Sequence, residues 1–156
     1  MMRASSLVSA AVLILGAWVF PTRADDASFP SSPGLDAIGT GAEIYQHICQ
    51  GCHMPHGEGA QGAGHYPTLA GDPALAAWQY PALTVLAGRH GMPPFGLPAG
   101  DPQIDELRAV HLSDAQVAAV VNYVRSHFGN TFPDVIDGSQ VAALPHPAGR
   151  ASSATR

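Results

Sequence analysis

Cys49-Gln50-Gly51-Cys52-His53 holds the only two cysteines of this 156-residue chain. Two cysteines three apart, followed at once by histidine, read as a covalent attachment site for c-type haem. Each thiol adds to a vinyl group of the porphyrin, and the adjacent imidazole ligates the iron. Such a site works only if all three side chains leave the backbone on one side.

The residues before the motif supply that geometry. Thr40 and Glu43 form a T-x-x-E capping box, which starts a helix near Thr40. Gly41, Ile44, Tyr45, Ile48, Cys49 and Cys52 then recur on one helical face. Cys49, Cys52 and His53 stand at i, i+3 and i+4, so both thiols and the imidazole emerge together. Other uses of two cysteines fit less well. An exported protein ordinarily pairs its cysteines in a disulfide. A thioredoxin-type redox pair needs a βαβ context, and nothing upstream reads as strands. A zinc site needs two more ligands, for which His56 and His65 are the candidates.

A low-spin haem iron needs a second axial ligand. The chain has four methionines. Met1 and Met2 belong to the leader, and Met54 adjoins His53 and cannot reach the opposite face of the ring. Met92 remains, on Gly91-Met92-Pro93-Pro94-Phe95, a strap that two prolines make stiff and non-helical. Two alternatives stay open at this point. Met92 is core filler, the usual fate of a methionine, or a histidine takes the position. His47, His56, His65, His90, His111, His127 and His146 are the rivals. His90 is the serious one, two residues before Met92, and bis-His ligation would lower the potential.

Composition bounds the rest. Residues 1–24 read as a cleaved secretory signal: Arg3, an apolar run from Leu7 to Phe20, then Thr22-Arg23-Ala24. That run is 14 residues long, short of the roughly 20 that span a bilayer. The mature chain from Asp25 has 132 residues, no lysine, 12 acidic and 5 basic side chains. One domain with one core fits that length. So acidic a surface argues against nucleic acid and anionic membranes as partners.

Residues 25–35 should form a flexible leader and 36–130 the folded domain. Within it His53 to Ala70 reads as a glycine-punctuated loop. Asp72 caps a short helix with Pro73 at its first position, and Pro81 opens another over 82–87, ended by Gly88. Leu97 to His111 is irregular. Ser113 and Gln116 make a second capping box. Val117, Val120, Val121, Val124 and Phe128 give its helix an apolar stripe, with Gly129 as C-cap. Residues 131–156 read as a largely irregular or disordered extension, with a turn or two over 139–144. No strand is expected.

With these motifs the chain resembles class I, monohaem cytochrome c over residues 39–130. Gly41 and Tyr45 match a glycine and an aromatic of the family's N-terminal helix, Val120 and Tyr123 an aliphatic and an aromatic of its C-terminal helix. The resemblance implies an all-α fold, in which these two helices cross and short helices and loops wrap one covalently bound haem c. It implies that Pro67, in Pro67-Thr68-Leu69-Ala70-Gly71, accepts the Nδ1 proton of His53. Cys49, Cys52 and Pro67 would then bind the cofactor, with His53 and Met92 on the iron. Leu112-Ser113-Asp114 and Val121 to Asn130 are similar to small cytochromes associated with bacterial periplasmic dehydrogenases. The longer stretch from Gly96 to His111 departs from that pattern. The implied role is a periplasmic electron carrier, or the electron-transfer subunit of a dehydrogenase, and not an enzyme. Its partners would be a dehydrogenase as donor and a cytochrome or oxidase as acceptor. The alternative is a haem enzyme or gas sensor with a labile sixth ligand. Trp78, Tyr80 and Arg89 are candidates for the haem propionates.

Overall fold

The capping box at Thr40 is formed in both directions: Glu43 N donates to Thr40 Oγ1 (3.2 Å) and Thr40 N to Glu43 Oε2 (3.0 Å). This computed structural model describes residues 39–62, 64–98, 101–102, 104 and 110–149, which fall in one compact unit. The expected leaders (1–24 and 25–35), most of 98–109 and the last residues lie outside the described residues. From the cap the chain runs helically as α1, in three stretches: Gly41–Ile44, a π-helical Tyr45–Cys49, and Gln50–His53. Gln50 N reaches back to Tyr45 O, a five-residue step. The wider turn ends on the first cysteine, Cys49; π turns often mark functional positions.

A small hairpin follows, β1 (Ala60–Gln61) against β2 (His65–Tyr66). No strand was expected, and two-residue strands carry no alternation to read. Asp72 accepts from Ala74 N (2.9 Å) and starts a 3-10 turn over Pro73–Ala76. The next helix, α2, runs Gln79–Ala87 and so begins two residues before Pro81. The first turn of a helix has N–H groups without intrahelical partners, so a proline costs nothing there.

The long helix α3 spans Asp114–Ser126 under the expected capping box of Ser113 and Gln116. Its stripe is buried: Val117, Val120, Val121 and Val124 all face the core. The end differs from expectation. His127 is the cap in extended backbone, and Phe128 itself takes a positive φ of 58° before Gly129. The reward for that strain is packing, since the Phe128 ring lies 4.8 Å from that of Tyr45 and 5.6 Å from that of Tyr123. α1 crosses α3 at Gly41, where an added Cβ would overlap Ala119 O and sit 2.7 Å from Tyr123 Cβ. A glycine inside a helix costs about 1 kcal/mol against alanine; here the backbone contact requires it.

After α3 the chain folds back on it. Asn122 exchanges two hydrogen bonds with Ile136 (2.7 and 3.0 Å), and a short α4, Gly138–Ala142, follows under an Asp137 cap. Ile44, Tyr45, Leu75, Leu86, Val117, Val121, Ile136 and Val141 share one core. The arrangement is all-α apart from the hairpin. Among the described residues no helix is long and apolar enough to cross a membrane.

Candidate functional site

Cys49, Cys52 and His53 end α1. The Cys49 and Cys52 thiols are free, the first half-buried against the core and the second exposed. Burial, with a smaller contribution from Cys52, pushes the Cys49 thiol up to about 12. The Cys49 thiol therefore stays protonated at neutral pH.

The turn after His53 aims its ring. Met54 takes a positive φ of 65°, which ends the helix abruptly, and Gly59 N returns to His53 O (3.1 Å). Gly59, also at positive φ, lets the chain pass close by: a Cβ there would lie 2.7 Å from the Pro67 carbonyl carbon. His53 is 8 % exposed, and its Nδ1 lies 3.0 Å from Pro67 O. A carbonyl only accepts, so Nδ1 carries the proton and Nε2 keeps its lone pair for a metal.

Tyr45 holds the same turn from below. Its hydroxyl donates to Met54 O (2.7 Å) and more weakly to His53 O (3.5 Å). Burial first, then the Cys49 thiol, pushes that hydroxyl up to about 12, so it remains a donor.

Met92 lies on the strap after α2, half-buried at the rim of the core that also holds Cys49. Arg89 and Met92 pair through both backbone hydrogen bonds, Arg89 N to Met92 O (3.1 Å) and Met92 N to Arg89 O (2.9 Å). His90 and Gly91 at the tip both have positive φ, as a type I′ turn requires. His90 is exposed there. Three other rival histidines are engaged: His111 Nδ1 at Leu97 O (2.6 Å), His127 stacked on Tyr123 (4.0 Å), His146 against Asp114 (2.7 Å). Among the described residues no three His, Cys, Asp or Glu side chains gather to hold a metal ion, so His56 and His65 do not complete a zinc site with the two cysteines. Arg89 donates to Tyr80 Oη (3.2 Å) and lies over its ring, while Trp78 packs against the core.

The family's sequence model, described as cytochrome c, matches residues 38–128. The chain belongs to the cytochrome c family. It is 32 % identical over 105 residues to the cytochrome c subunit of the quinone alcohol dehydrogenase of Gluconobacter oxydans, covering 67 % of this chain and 21 % of that one. It is similarly 32 % identical over 110 residues to the fructose dehydrogenase cytochrome subunit of Gluconobacter japonicus (64 % and 21 %). A third relative is the gluconate 2-dehydrogenase cytochrome c subunit of Pantoea cypripedii, 32 % identical over 117 residues (67 % and 24 %). The chain thus spans about a fifth to a quarter of the length of these curated relatives. Family membership gives it a cytochrome c electron-transfer role, with haem as the implied cofactor.

The residues present fit that cofactor. Two free thiols and an imidazole with its Nε2 lone pair left open stand within one turn of helix, beside an apolar core. Two residues escaped sequence reasoning, Gly59 beside the site and Arg125 in the fold that carries it. Gly59 was one loop glycine among several, and only the approach of Pro67 singles it out. Arg125, 1 % exposed, sits on the core side of α3 where a charge was not expected; its position next to Val124 in an apolar stripe was the available signal.

Proposed function

We propose that this cytochrome carries one haem c on Cys49 and Cys52, with His53 and Met92 as axial ligands, and shuttles electrons in the periplasm. The hydrogen bond from His53 Nδ1 to Pro67 O carries this reading, because it fixes the tautomer a ligand histidine needs. When bound, the haem supplies a one-electron Fe(II)/Fe(III) couple. The chain does the rest. Cys49 and Cys52 hold one edge of the ring. Tyr45 and Pro67 keep the His53 imidazole still, so little rearranges when charge changes. The proline strap presents the Met92 thioether, a weak ligand whose place must be imposed. Ile48 and Trp78, packed against the core, help to keep water away.

The relatives are cytochrome subunits of dehydrogenases. This supports a dehydrogenase as electron donor and a component of the respiratory chain as acceptor. The leader read at 1–24 supports export, with the haem attached outside the cytoplasm. The visible and near-infrared spectrum of protein purified from a periplasmic fraction tests the reading. It should be six-coordinate and low-spin, with the weak Met–Fe(III) charge-transfer band. Met92→Ala should keep the haem and lose the band; a band that survives the substitution removes Met92 as ligand. Co-purification of a dehydrogenase separates a permanent subunit from a free carrier.

A further inference from the structure

The strap is closed by glycines at both of its ends. Gly88 caps α2 with φ 70° and ψ 165°, a region open essentially to glycine alone. The strap folds back onto its Cα. A Cβ there would overlap Met92 O, and would lie 2.8 Å from Pro94 N and 2.9 Å from the Pro93 carbonyl carbon. At the other end Phe95 N and Gly96 N donate to Val85 O (3.0 Å) and Leu86 O (2.9 Å), carbonyls in the last turn of α2. A Cβ on Gly96 would come within 2.6 Å of Leu86 Cδ2 and 3.0 Å of its Cα. Between these two contacts lie the positive-φ turn at His90 and Gly91 and the two prolines, neither of which has an N–H to anchor it. Met92 is tied to Arg89 by its two backbone hydrogen bonds, and how closely that turn lies on α2 is set by the missing side chains of Gly88 and Gly96.

We infer that Gly88 and Gly96 are positioning residues for the Met92 thioether: a methyl group at either lifts the strap from α2 and weakens the sulfur–iron bond. The inference rests on Met92 being the axial ligand. Gly88→Ala brings both a disfavoured φ and an overlap. Gly96→Ala brings only crowding against Leu86, so it is the variant that should fold with least disturbance. Gly71→Ala is the control, because Gly71 has φ 63° but nothing within 4 Å of an added Cβ.

The experiment uses full-length, haem-loaded protein. It measures the Met–Fe(III) charge-transfer band, the reduction potential and thermal unfolding for wild type and for Gly88→Ala, Gly96→Ala, Gly71→Ala and Met92→Ala. The expected result is loss or marked weakening of the band and a lower potential in both strap variants. Helix content and covalent haem should be retained, and Gly71→Ala should keep a wild-type band even where its melting temperature falls. If Met92→Ala abolishes the band while folded Gly96→Ala keeps it at full intensity, the positioning role is wrong and the ligand reading stands. If Met92→Ala leaves the band unchanged, the ligand reading fails and takes this inference with it. A band lost equally in Gly71→Ala would trace the effect to general destabilisation and overturn the proposal. Should Gly88→Ala not fold, Gly96→Ala alone decides.

Discussion

Tyr45 shows how a single side chain serves the site without touching a cofactor. Its hydroxyl supplies a donor to the Met54 carbonyl at 2.7 Å, just where the chain leaves the helix after His53. Removing one partner of a buried hydrogen bond costs about 1–3 kcal/mol, because the other is left unsatisfied. Tyr45→Phe should therefore lower stability by about that amount in urea unfolding, with the haem still attached. A variant as stable as wild type would mean that water replaces the hydroxyl. The second residue-scale device is His146. Both its ring nitrogens are engaged, Nε2 with Asp114 Oδ1 (2.7 Å) and Nδ1 with Leu144 O (2.8 Å), an arrangement in which both donate. The Asp114 bond, chiefly, raises its pKa above the ordinary 6.5. Stability from a raised histidine is complete below its unfolded value and is lost as pH climbs through the folded one. The pair is about one-third exposed on each side, so it is worth about 0.2–1 kcal/mol. His146→Gln should remove that part of the pH dependence in the window that opens as pH rises above the ordinary 6.5 and leave the acid side alone. Identical slopes for the two proteins in that window would remove the latch. The His146 contact joins residues 32 apart and no local rule could announce it. The contact of Pro67 with His53 was legible, but only through resemblance to a family, since Pro67 lies fourteen positions further along the chain, beyond the hairpin.

At the scale of elements, the crossing of α1 and α3 is set by Gly41. The two backbones meet there so closely that a Cβ has no free volume, with Ala119 and Tyr123 on the other side. Overpacking a fixed contact typically costs about 1–3 kcal/mol. Gly41→Ala should destabilise by at least that much despite alanine's better helix propensity, as a lower melting temperature reports. A neutral or stabilising result would mean that the helices slide apart freely. Local chemistry announced the starts of these helices. Thr40 with Glu43, and Ser113 with Gln116, are four-residue rules in which each side chain satisfies the other's backbone, and both formed as read. The features that escaped depend on partners distant in sequence. Phe128 accepts a positive φ because its ring fits beside Tyr45, and the hairpin of Ala60–Gln61 with His65–Tyr66 is too short to leave a pattern. Pro81 marked the right helix but the wrong first residue, since proline is tolerated anywhere in the first turn.

At the scale of the whole molecule, one buried guanidinium ties three separate parts together. From α3, Arg125 Nε donates to Leu75 O (2.9 Å) and Nη2 to Ala76 O (3.2 Å), both at the end of the 3-10 turn. Nη1 donates to Asp134 O (2.7 Å), and Nη2 also to the Asp134 carboxylate, in the segment that returns after α3. Phe132 lies beneath the guanidinium at 5.6 Å, and Phe132 N closes the loop onto Arg125 O (3.1 Å). The fork thus matches three backbone carbonyls whose positions are fixed by different elements. Its charge is balanced chiefly by one carboxylate, that of Asp134, 54 % exposed and held below the usual range by the Arg125 hydrogen bond. Two substitutions separate shape from charge. Arg125→Lys keeps the charge but loses the planar fork, and an ammonium cannot reach carbonyls on opposite sides. It should cost about 3–5 kcal/mol, as breaking a buried charged network does. Asp134→Asn leaves the three carbonyl bonds in place and should cost no more than about 1 kcal/mol, as expected for an exposed partner. Arg125→Lys should also open residues 131–137 to limited proteolysis, because their anchor to α3 is gone, while Asp134→Asn should not. Equal losses in the two variants would show that the ion pair, and not the fork, joins the returning segment to the rest of the protein.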